Sequence, residues 1–327
     1  MEYIHVPVML KEIIEYLQPR EGQVFFDGTL GGGGYTAEIA KLVGERGKVL
    51  ATDLDQLAIK NFESRIKNEK INNVILKNEN FKNITQISEE VFGRDIRYDG
   101  IVLDLGLSSA QLQDRDRGFS FRFDAPVTME FGDHTSPPAL LLIRGGEAKT
   151  EDILNKWKES ELEKIIREYG EEKFSKRIAQ AIVLARKNKK IERTGELVEI
   201  IASAVPAVYK NNQKIHFATR TFQALRIATN DELGSLAEFL PQALELLKPG
   251  GRLAIVSFHS LEDRIVKNFF RTESKDCLCP PRVPLCQCNH QARLKIITKK
   301  ALEASAEEIK NNPRARSAKL RVAEKIK

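Results

Sequence analysis

The sequence has no hydrophobic run long enough to cross a membrane. No window comes close to the roughly 18 consecutive apolar residues that a membrane-spanning helix needs. The first residues, MEYIH, also lack a basic segment followed by an apolar one, which is the pattern of a secretory signal. We therefore expect a cytoplasmic protein that makes no contact with a membrane.

Cysteine is scarce, with four residues in a chain of 327. All four lie close together, as Cys277-x-Cys279 and Cys286-x-Cys288, with His290 nearby. So tight a group cannot cross-link a fold of this size, which favours reduced thiols in the cytoplasm. The group invites interpretation as a zinc site, but the usual spacing within a ligand pair is about two to four residues. The sequence therefore favours a loop of reduced thiols, and no metal is predicted.

Positive charge is concentrated at one end of the chain. The net charge is +6, yet residues 293–327 hold 11 Lys and Arg against 4 Asp and Glu, and the preceding 292 residues hold 41 against 42. This asymmetry indicates a polyanionic partner bound through the C-terminal segment, or otherwise a solvated basic tail. With 42% hydrophobic and 30% charged residues, the chain has enough material for one large or two ordinary globular domains.

Short apolar runs alternate with helical patterns over the first hundred residues. Such alternation is typical of a doubly wound, mainly parallel sheet that is covered by helices on both faces. The predicted strands are 24–26, 48–52, 74–76 and 100–103, and the predicted helices between them include 35–43 and 55–67.

The pattern changes in the middle of the chain. Residues 115–149 are predicted to form a long loop, and apolar residues at helical spacing then predict three helices over 162–169, 178–185 and 197–204. Strand patterns return later, at 252–256, 293–297 and 318–322. We therefore predict a doubly wound α/β core that is interrupted by an all-helical domain. The predicted boundaries are 1–112 for the first part of the core, 113–215 for the insertion, and 216–327 for the second part with a basic C-terminal tail.

A glycine-rich turn joins the first predicted strand to the first helix. Five of the seven residues from Gly28 to Gly34 are glycine, which lets a ligand approach the backbone at the start of a helix. Asp53 follows Gly33 by 20 residues and ends the next strand, where a carboxylate can accept hydrogen bonds from ribose hydroxyls. This combination predicts a nucleoside-containing ligand, and the alternative is a turn that is tight for structural reasons only.

Asp27 lies directly before this turn and bears on the choice of ligand. A carboxylate there would repel a diphosphate and attract an ammonium group. S-adenosylmethionine carries an ammonium and a sulfonium and has no phosphate. The sequence therefore predicts S-adenosylmethionine in preference to NAD, and an NAD-dependent oxidoreductase is the alternative enzyme.

Asp104 ends the fourth strand and is the candidate catalytic residue. Ligands of open α/β sheets bind beyond the carboxyl ends of the strands, so Asp104 is expected in the same cleft as the glycine turn. Its carboxylate could accept the N–H bonds of an exocyclic amine during methyl transfer. The alternative is that it only caps a loop or binds adenine. No cysteine follows the fourth strand, which favours methylation of an amine over methylation of a ring carbon.

Seven blocks of sequence, in order along nearly the whole chain, resemble the bacterial 16S ribosomal RNA cytosine-N4 methyltransferases, the RsmH or MraW family. They are DGTLG at 27–31, DLGLSSAQL at 104–112, RGFSFR at 117–122, GEEKF at 170–174, ATRTFQALRI at 218–227, SFHSLEDR at 257–264 and NPRARSAKLR at 312–321.

The resemblance implies a class I methyltransferase fold and an enzyme dependent on S-adenosylmethionine. Its implied substrate is the N4 amine of a cytidine in the decoding region of 16S ribosomal RNA, at position 1402 in the standard numbering of that RNA. The implied partner is the small ribosomal subunit, and no DNA is expected. Members of the family often carry histidine where this chain has Tyr35. The implied cofactor residues are Gly33, Gly34, Tyr35, Asp53, Phe81, Asp104 and Gln111.

Candidate substrate residues lie outside the glycine turn. Aromatic and arginine side chains interleave after the fourth strand, as is typical of contacts to an unpaired base and its phosphates, or of a lid over the cofactor. Arginines in a later helical segment suit RNA contact or structural ion pairing, and a histidine after a strand suits the target pocket or a loop. The candidates are Phe119, Phe121, Arg122, Arg220, Arg226 and His259. A non-catalytic ribosome-assembly factor that retains a nucleoside pocket remains a second alternative.

Overall fold

The computed structural model describes residues 7–108, 111–112, 114–132, 149–211, 215–280 and 285–327. The N-terminal residues used above to argue against a signal, and residues 133–148 of the loop predicted over 115–149, lie outside the described part. The chain forms two compact units, one of Met1–Gly106 with Ser235–Lys327 and one of Leu107–Gly234. No helix of the described residues is long and apolar enough to cross a membrane.

The first unit is built on an eight-stranded sheet with the order β3-β2-β1-β4-β5-β8-β6, in which β7 also pairs with β8. The strands from β3 to β5 are parallel, as the sequence predicts, and β8 runs antiparallel to β5, β6 and β7. The strands are β1 (Val24–Asp27), β2 (Lys48–Thr52), β3 (Val74–Lys77), β4 (Tyr98–Asp104), β5 (Leu247–Ser257), β6 (Leu294–Ile296), β7 (Leu302–Glu303) and β8 (Lys319–Lys325).

Helices occupy most of the remaining described chain, and short 3-10 turns cover Phe81–Asn83 and Pro313–Ser317. The helices are α1 (Leu10–Leu17), α2 (Gly34–Val43), α3 (Gln56–Glu69), α4 (Ile84–Phe92), α5 (Thr150–Lys156), α6 (Glu159–Glu168), α7 (Ser175–Ala185), α8 (Thr194–Ala204), α9 (Ala207–Asn211), α10 (Thr219–Asn230), α11 (Glu232–Leu246), α12 (Ser260–Glu273) and α13 (Ala306–Asn311).

The sheet is buried on both faces, which explains why its strands are apolar without interruption. Successive side chains of a strand point to opposite faces, so Phe25 and Phe26 belong to two different cores. Phe25 packs with residues of α1, α2 and α3, and Phe26 packs with residues of α4, α11 and α12. The predicted doubly wound sheet is therefore confirmed.

The C-terminal segment is not a free tail. Residues 319–325 form β8, which lies between β5 and β6 in the sheet. The strand predicted at 318–322, within the basic C-terminal segment, is therefore confirmed, and its alternating apolar residues Leu320 and Val322 are buried in the core of the first unit.

The second unit has its own apolar core, formed mainly by side chains of α5 to α10. Phe222, Leu225 and Ala228 of α10 are buried in this core, so the unit continues to Gly234. The predicted insertion covered 113–215, and the observed unit covers 107–234. The difference arises because the apolar face of α10 packs in the core of the second unit, together with the other helices of that unit.

Gly100 in β4 provides a test of the packing between sheet and helices. A Cβ atom at this position would lie 2.3 Å from Cε1 of Phe25, the residue opposite it on β1. Since Phe25 is fully buried, its ring has little room to move. We expect Gly100→Ala to lower the free energy of unfolding by about 1–3 kcal/mol, measured by chemical denaturation.

The matched control is Phe25→Leu in the Gly100→Ala background. A smaller side chain should remove the clash, so the double variant should lose less stability than the two single losses added together. Strict additivity of the two changes would contradict a clash between these residues.

Candidate active site

The glycine turn between β1 and α2 is shaped by close packing on one side and is open on the other. Gly33 has a φ of 70° and is the N-cap of α2, and a Cβ there would lie 2.0 Å from the ring of Phe62. A Cβ on Gly28 would lie 2.3 Å from Cδ2 of Leu103. A Cβ on Gly31 would meet only the carbonyl oxygen of Thr29, at 3.9 Å, among the described residues. The turn therefore needs glycine for packing at Gly28 and Gly33, whereas Gly31 leaves its backbone open to a ligand.

Asp27 stabilises this turn from inside the protein. Its carboxylate is fully buried and accepts hydrogen bonds from Thr36 Oγ1 at 2.7 Å and from the backbone N–H of Thr29 at 3.1 Å. Burial raises the pKa of Asp27 to about 6, and the hydrogen bonds oppose that rise. The sequence predicts that the charge of Asp27 attracts the ammonium group of a ligand. In the structure its oxygens bind the turn and the first residues of α2 instead.

Asp53 holds the same turn from the end of β2. One carboxylate oxygen accepts from the N–H of Gly31 at 2.7 Å, and the other accepts from the N–H of Asp55 at 2.8 Å. Burial raises the pKa of Asp53 to about 6. A carboxylate has about four lone-pair sites, so two remain after these bonds. Asp53 therefore both positions the turn and keeps acceptor capacity for hydroxyl groups.

Asp104 ends β4 beside the turn, where its backbone N–H donates to Thr29 Oγ1 at 2.6 Å. Its Oδ1 is buried and has no hydrogen-bond partner among the described residues. Burial is the largest cause that raises the pKa of Asp104, to about 8, followed by the charge of Asp27. A buried carboxylate oxygen without a donor is costly, and such atoms in native proteins commonly belong to a ligand site.

The structure therefore brings together the glycine turn, Asp53 and Asp104, which the sequence analysis placed at one edge of the sheet. Backbone hydrogen bonds link the same elements, since Gly28 N–H donates to Val102 at 3.0 Å and Leu30 N–H donates to Thr52 at 2.9 Å. The roles of these residues toward a ligand stay predictions.

The other predicted cofactor residues lie in different surroundings. Tyr35 is buried and its hydroxyl donates to the carbonyl of Val8, and burial, with the charges of Asp104 and Asp27, raises its pKa well above the usual range. Gly34 packs against the N-terminal segment, because a Cβ there would lie 2.5 Å from a ring atom of Pro7.

Phe81 and Gln111 complete the predicted set. Phe81 packs edge-on against Phe239, with ring centroids 5.3 Å apart, and its Cβ is 2.8 Å from the position of a Cβ on Gly28. It therefore borders the glycine turn. Gln111 belongs to the second unit, where its side-chain oxygen accepts from the N–H of Ser108 at 2.9 Å and its own N–H donates to Ser108 Oγ at 3.1 Å.

Sequence reasoning missed Arg314 at this site. Arg314 lies in the 3-10 turn Pro313–Ser317, and its positive charge lowers the pKa of Asp104 against the larger effect of burial. In the sequence, Arg314 stands out only as a member of the basic C-terminal segment and of the family block at 312–321. The block NPRARSAKLR held the signal, but only the return of the chain to the sheet shows which carboxylate this arginine approaches.

The candidate substrate residues of the second unit divide into buried and accessible groups. Phe119 is buried in the core of that unit and stacks on Phe131 at 5.7 Å between centroids. Arg226 donates to both carboxylate oxygens of Glu232, at 2.7 and 2.8 Å, and the two side chains are 15% and 7% exposed. For Arg226 the structure shows the ion pairing that the sequence analysis gave as the alternative, whereas Phe119 is a core residue of the second unit, which neither interpretation of its sequence predicted.

The remaining candidates are less enclosed. Phe121 is half-buried and stacks on His216 with centroids 4.5 Å apart, and Arg122 beside it is exposed. Arg220 is half-buried and donates to the carbonyl of Glu171 at 3.1 Å. These three keep surface that could meet a ligand.

His259 belongs to the first unit and is the N-cap of α12. Its Nδ1 accepts from the N–H of Glu262 at 3.4 Å, and its Nε2 lies 3.1 Å from a carboxylate oxygen of the same residue. Capping the helix is therefore the role that the structure shows for His259, and its place in a target pocket stays a prediction.

Comparison with known proteins points to the same family that the sequence blocks resemble. The family model described as "MraW methylase family" matches residues 2–326. "Ribosomal RNA small subunit methyltransferase H" of Heliobacterium mobile is 48% identical over 327 residues, and the protein of that name from Heliobacterium modesticaldum is 47% identical, each match covering 100% of both chains. The protein of that name from Finegoldia magna is 44% identical, again over 100% of both chains.

These matches confirm the family resemblance, the class I methyltransferase fold and the prediction of S-adenosylmethionine as cofactor. They remove the NAD-dependent oxidoreductase as an alternative. The chain belongs to the MraW methylase family, a family of methyltransferases that depend on S-adenosylmethionine.

Proposed function

We propose that this chain methylates the N4 amine of the decoding-region cytidine of 16S ribosomal RNA that the sequence blocks imply. The relatives are named as methyltransferases of small-subunit ribosomal RNA, which supports the substrate class. The observation that carries the proposal is the buried Oδ1 of Asp104, which has no hydrogen-bond partner among the described residues and lies at the strand end beside the glycine turn.

The strand ends fit S-adenosylmethionine in two respects. Gly31 leaves open space on the side where a Cβ would stand, so a ligand can reach the backbone of the turn. Asp53 retains acceptor capacity after its bonds to Gly31 and Asp55, which suits the hydroxyls of a ribose. We propose that the turn and Asp53 hold the nucleoside part of the cofactor, with Phe81 against its flat face. Tyr35 contributes by anchoring the N-terminal segment at Val8 rather than by touching the cofactor.

Asp104 is proposed as the residue that acts on the target amine. When bound, S-adenosylmethionine supplies the electrophilic methyl group. The amine of cytosine is a weak nucleophile because its lone pair is delocalised into the ring. A carboxylate that accepts an N–H of this amine localises the lone pair and stabilises the positive charge that develops on nitrogen. A pKa raised to about 8 also places the proton affinity of Asp104 close to neutral pH, where proton acceptance is most effective.

The second unit is proposed to contact the RNA through its exposed aromatic and basic side chains. The stacked pair Phe121–His216 offers an aromatic surface on which an unpaired base can stack, and Arg122 lies next to it. Phe119 and Arg226 support this surface from within the unit, since one is buried in its core and the other is in an ion pair.

The first prediction concerns the reaction product and Asp104. Small subunits that lack the modification are incubated with the protein and S-adenosylmethionine, and the RNA nucleosides are identified by mass spectrometry. We expect N4-methylcytidine from the natural chain. Asp104→Asn should lower kcat by about 10²–10⁴-fold, because the amide cannot accept a proton as the carboxylate does.

The control is Asp95→Asn, which changes an exposed aspartate in the same way and should leave kcat unchanged. A methylated ring carbon, or subunit binding without methylation, would overturn the proposed reaction. Full activity of Asp104→Asn with N4-methylcytidine as product would overturn only the role of Asp104.

The second prediction concerns the pH dependence of cofactor binding. Because the pKa of Asp104 is raised to about 8, its carboxylate becomes charged only as the pH rises through that value. A positively charged ligand beside it should bind more tightly as the negative charge forms. We expect the affinity for S-adenosylmethionine, measured calorimetrically, to increase from about pH 6.5 to 8.5, by at most tenfold per pH unit.

Asp104→Asn is the comparison, because it removes this titration without changing the shape of the side chain. If both proteins show the same pH dependence, the dependence arises from another group, such as the ammonium of the ligand.

The third prediction concerns Arg122. If this arginine binds a phosphate, Arg122→Ala should weaken RNA binding and reduce the slope of log affinity against log salt concentration by about 1. Arg46→Ala is the control, because Arg46 is an exposed arginine of the first unit in an ion pair with Glu21. Equal salt slopes for the natural chain and Arg122→Ala, measured by titration of a labelled RNA fragment, would contradict the proposed contact.

A further inference from the structure

The four cysteines converge at one point on the surface of the first unit. They lie in the loop that joins α12 to β6, and the structure describes residues 275–280 and 285–292 of that loop. Their Sγ atoms are all within 4.8 Å of one another, although the two pairs are separated along the chain. The neighbouring pairs of sulfur atoms are Cys277–Cys286 at 3.5 Å, Cys286–Cys288 at 3.6 Å and Cys277–Cys288 at 3.8 Å.

These separations match a tetrahedral metal site and not a disulfide. A zinc–thiolate bond is about 2.3 Å long, so two sulfurs of a tetrahedron around zinc lie about 3.8 Å apart. A disulfide bond is about 2.05 Å long. A cluster built on several iron ions would spread its sulfur ligands further than a single ion does. The geometry therefore suits one small ion at the centre of the four sulfur atoms.

The backbone of the loop is arranged around the sulfur atoms in a reciprocal manner. The residue inside each Cys-x-Cys pair donates its N–H to a sulfur of the opposite pair. Leu278 donates to Cys288 at 3.3 Å, and Gln287 donates to Cys279 at 3.3 Å. Hydrogen bonds of this kind stabilise metal-bound thiolates and orient them. They also explain how cysteines separated by only one residue can form a metal site here. Each pair directs its two sulfurs and one N–H donor toward the opposite pair.

His290 does not belong to the cluster. Its Nε2 lies 3.1 Å from the carbonyl oxygen of Thr272 near the end of α12. The imidazole therefore attaches the loop to the helix, and the donor set consists of four sulfurs. A set of four thiolates is typical of structural zinc, which leaves no open position for catalysis.

The described residues of the loop form no apolar core that could hold it in this shape. None of its described residues from 275 to 292 is buried, and Leu278 and Leu285 are 43% and 78% exposed. Small segments without a core need a cross-link such as a metal. Without a cation, ionisation of four thiols held this close together would be unfavourable, because the negatively charged thiolates would repel one another.

We propose that Cys277, Cys279, Cys286 and Cys288 bind one zinc ion, which fixes the loop between α12 and β6. Each thiol loses its proton on binding, and the ion supplies the charge that keeps four thiolates together. This inference replaces the prediction of a loop of unbound thiols. It is independent of the reaction proposed above.

The experiment measures metal in the full chain, purified without chelators or a metal-affinity tag and analysed by plasma mass spectrometry. We expect one zinc ion per chain. The double variant Cys286→Ser/Cys288→Ser should lose at least nine-tenths of this zinc, because two ligands cannot hold the ion. His290→Ala should keep it, since the imidazole faces Thr272. Circular dichroism checks that each variant is folded.

A second measurement uses the natural chain alone and so does not depend on the folding of a variant. Zinc is removed under reducing conditions and replaced by cobalt(II). Tetrahedral thiolate coordination should give intense sulfur-to-cobalt charge-transfer bands and strong visible d–d bands. In the metal-free protein, protease should cut the 275–292 loop faster than in the zinc-loaded protein.

A folded natural chain without stoichiometric zinc, with four thiols that react equally with a thiol reagent, would overturn the proposal. Bound iron in place of zinc, weak octahedral cobalt bands, or loss of zinc in His290→Ala would also overturn it, because each contradicts a zinc ion held by four thiolates.

Discussion

The hydrogen bonds of the buried Asp27 carboxylate fix the glycine turn, on which the proposed chemistry of the protein depends. By accepting from Thr36 Oγ1 and Thr29 N–H, Asp27 joins the end of β1 to the first turn of α2 and sets the path of the glycine turn between them. A buried carboxylate is unfavourable unless it is hydrogen-bonded, so its partners are held firmly. Thr29 extends this hydrogen-bond network to β4, because its hydroxyl accepts a hydrogen bond from the backbone N–H of Asp104. One interaction inside the protein thus positions two strand ends.

The same arrangement places buried carboxylates at this edge of the sheet, so a positive charge beside them is favourable. Burial raises the pKa of Asp27, Asp53 and Asp104, and the charge of Asp27 adds to the effect on the other two. Raised carboxyl pKa values mean that ionisation destabilises the folded chain as the pH rises through them, and a cation beside the carboxylates offsets this cost. We therefore propose that the combined negative charge of these strand ends favours a cationic cofactor. Asp27 contributes to this effect through its charge, while its oxygens bind Thr36 and Thr29.

A feature could be predicted from the sequence when it depends on local patterns, and not when it depends on contacts between residues far apart in the chain. The parallel strands were predictable because both faces of each are buried, which leaves continuous apolar runs such as Val24-Phe25-Phe26. The glycine turn was predictable because Gly33 has a φ of 70°, a local backbone conformation that favours glycine. Phe119 and Arg226 could not be assigned, because a side chain that suits RNA suits a protein core or an ion pair equally well until its neighbours are known. Spacing could not predict that the two cysteine pairs converge, because it ignores the opposite pair, which supplies two of the four sulfurs and one of the two N–H donors.

The basic residues of the C-terminal segment look alike in the sequence, but their positions in the fold give them different partners. Once β8 lies in the sheet, Arg321 pairs with Asp263 of α12 at 2.7 Å, and Arg293 pairs with Glu273 at 2.9 Å. The same return brings Arg314 to Asp104, where it favours the ionised carboxylate against burial. Without this arginine the acidic edge would be still harder to ionise, and a cofactor would have to supply all of the compensating charge. Some of the basic residues thus hold the fold together and one tunes the strand end, so only the remainder is available for a polyanion.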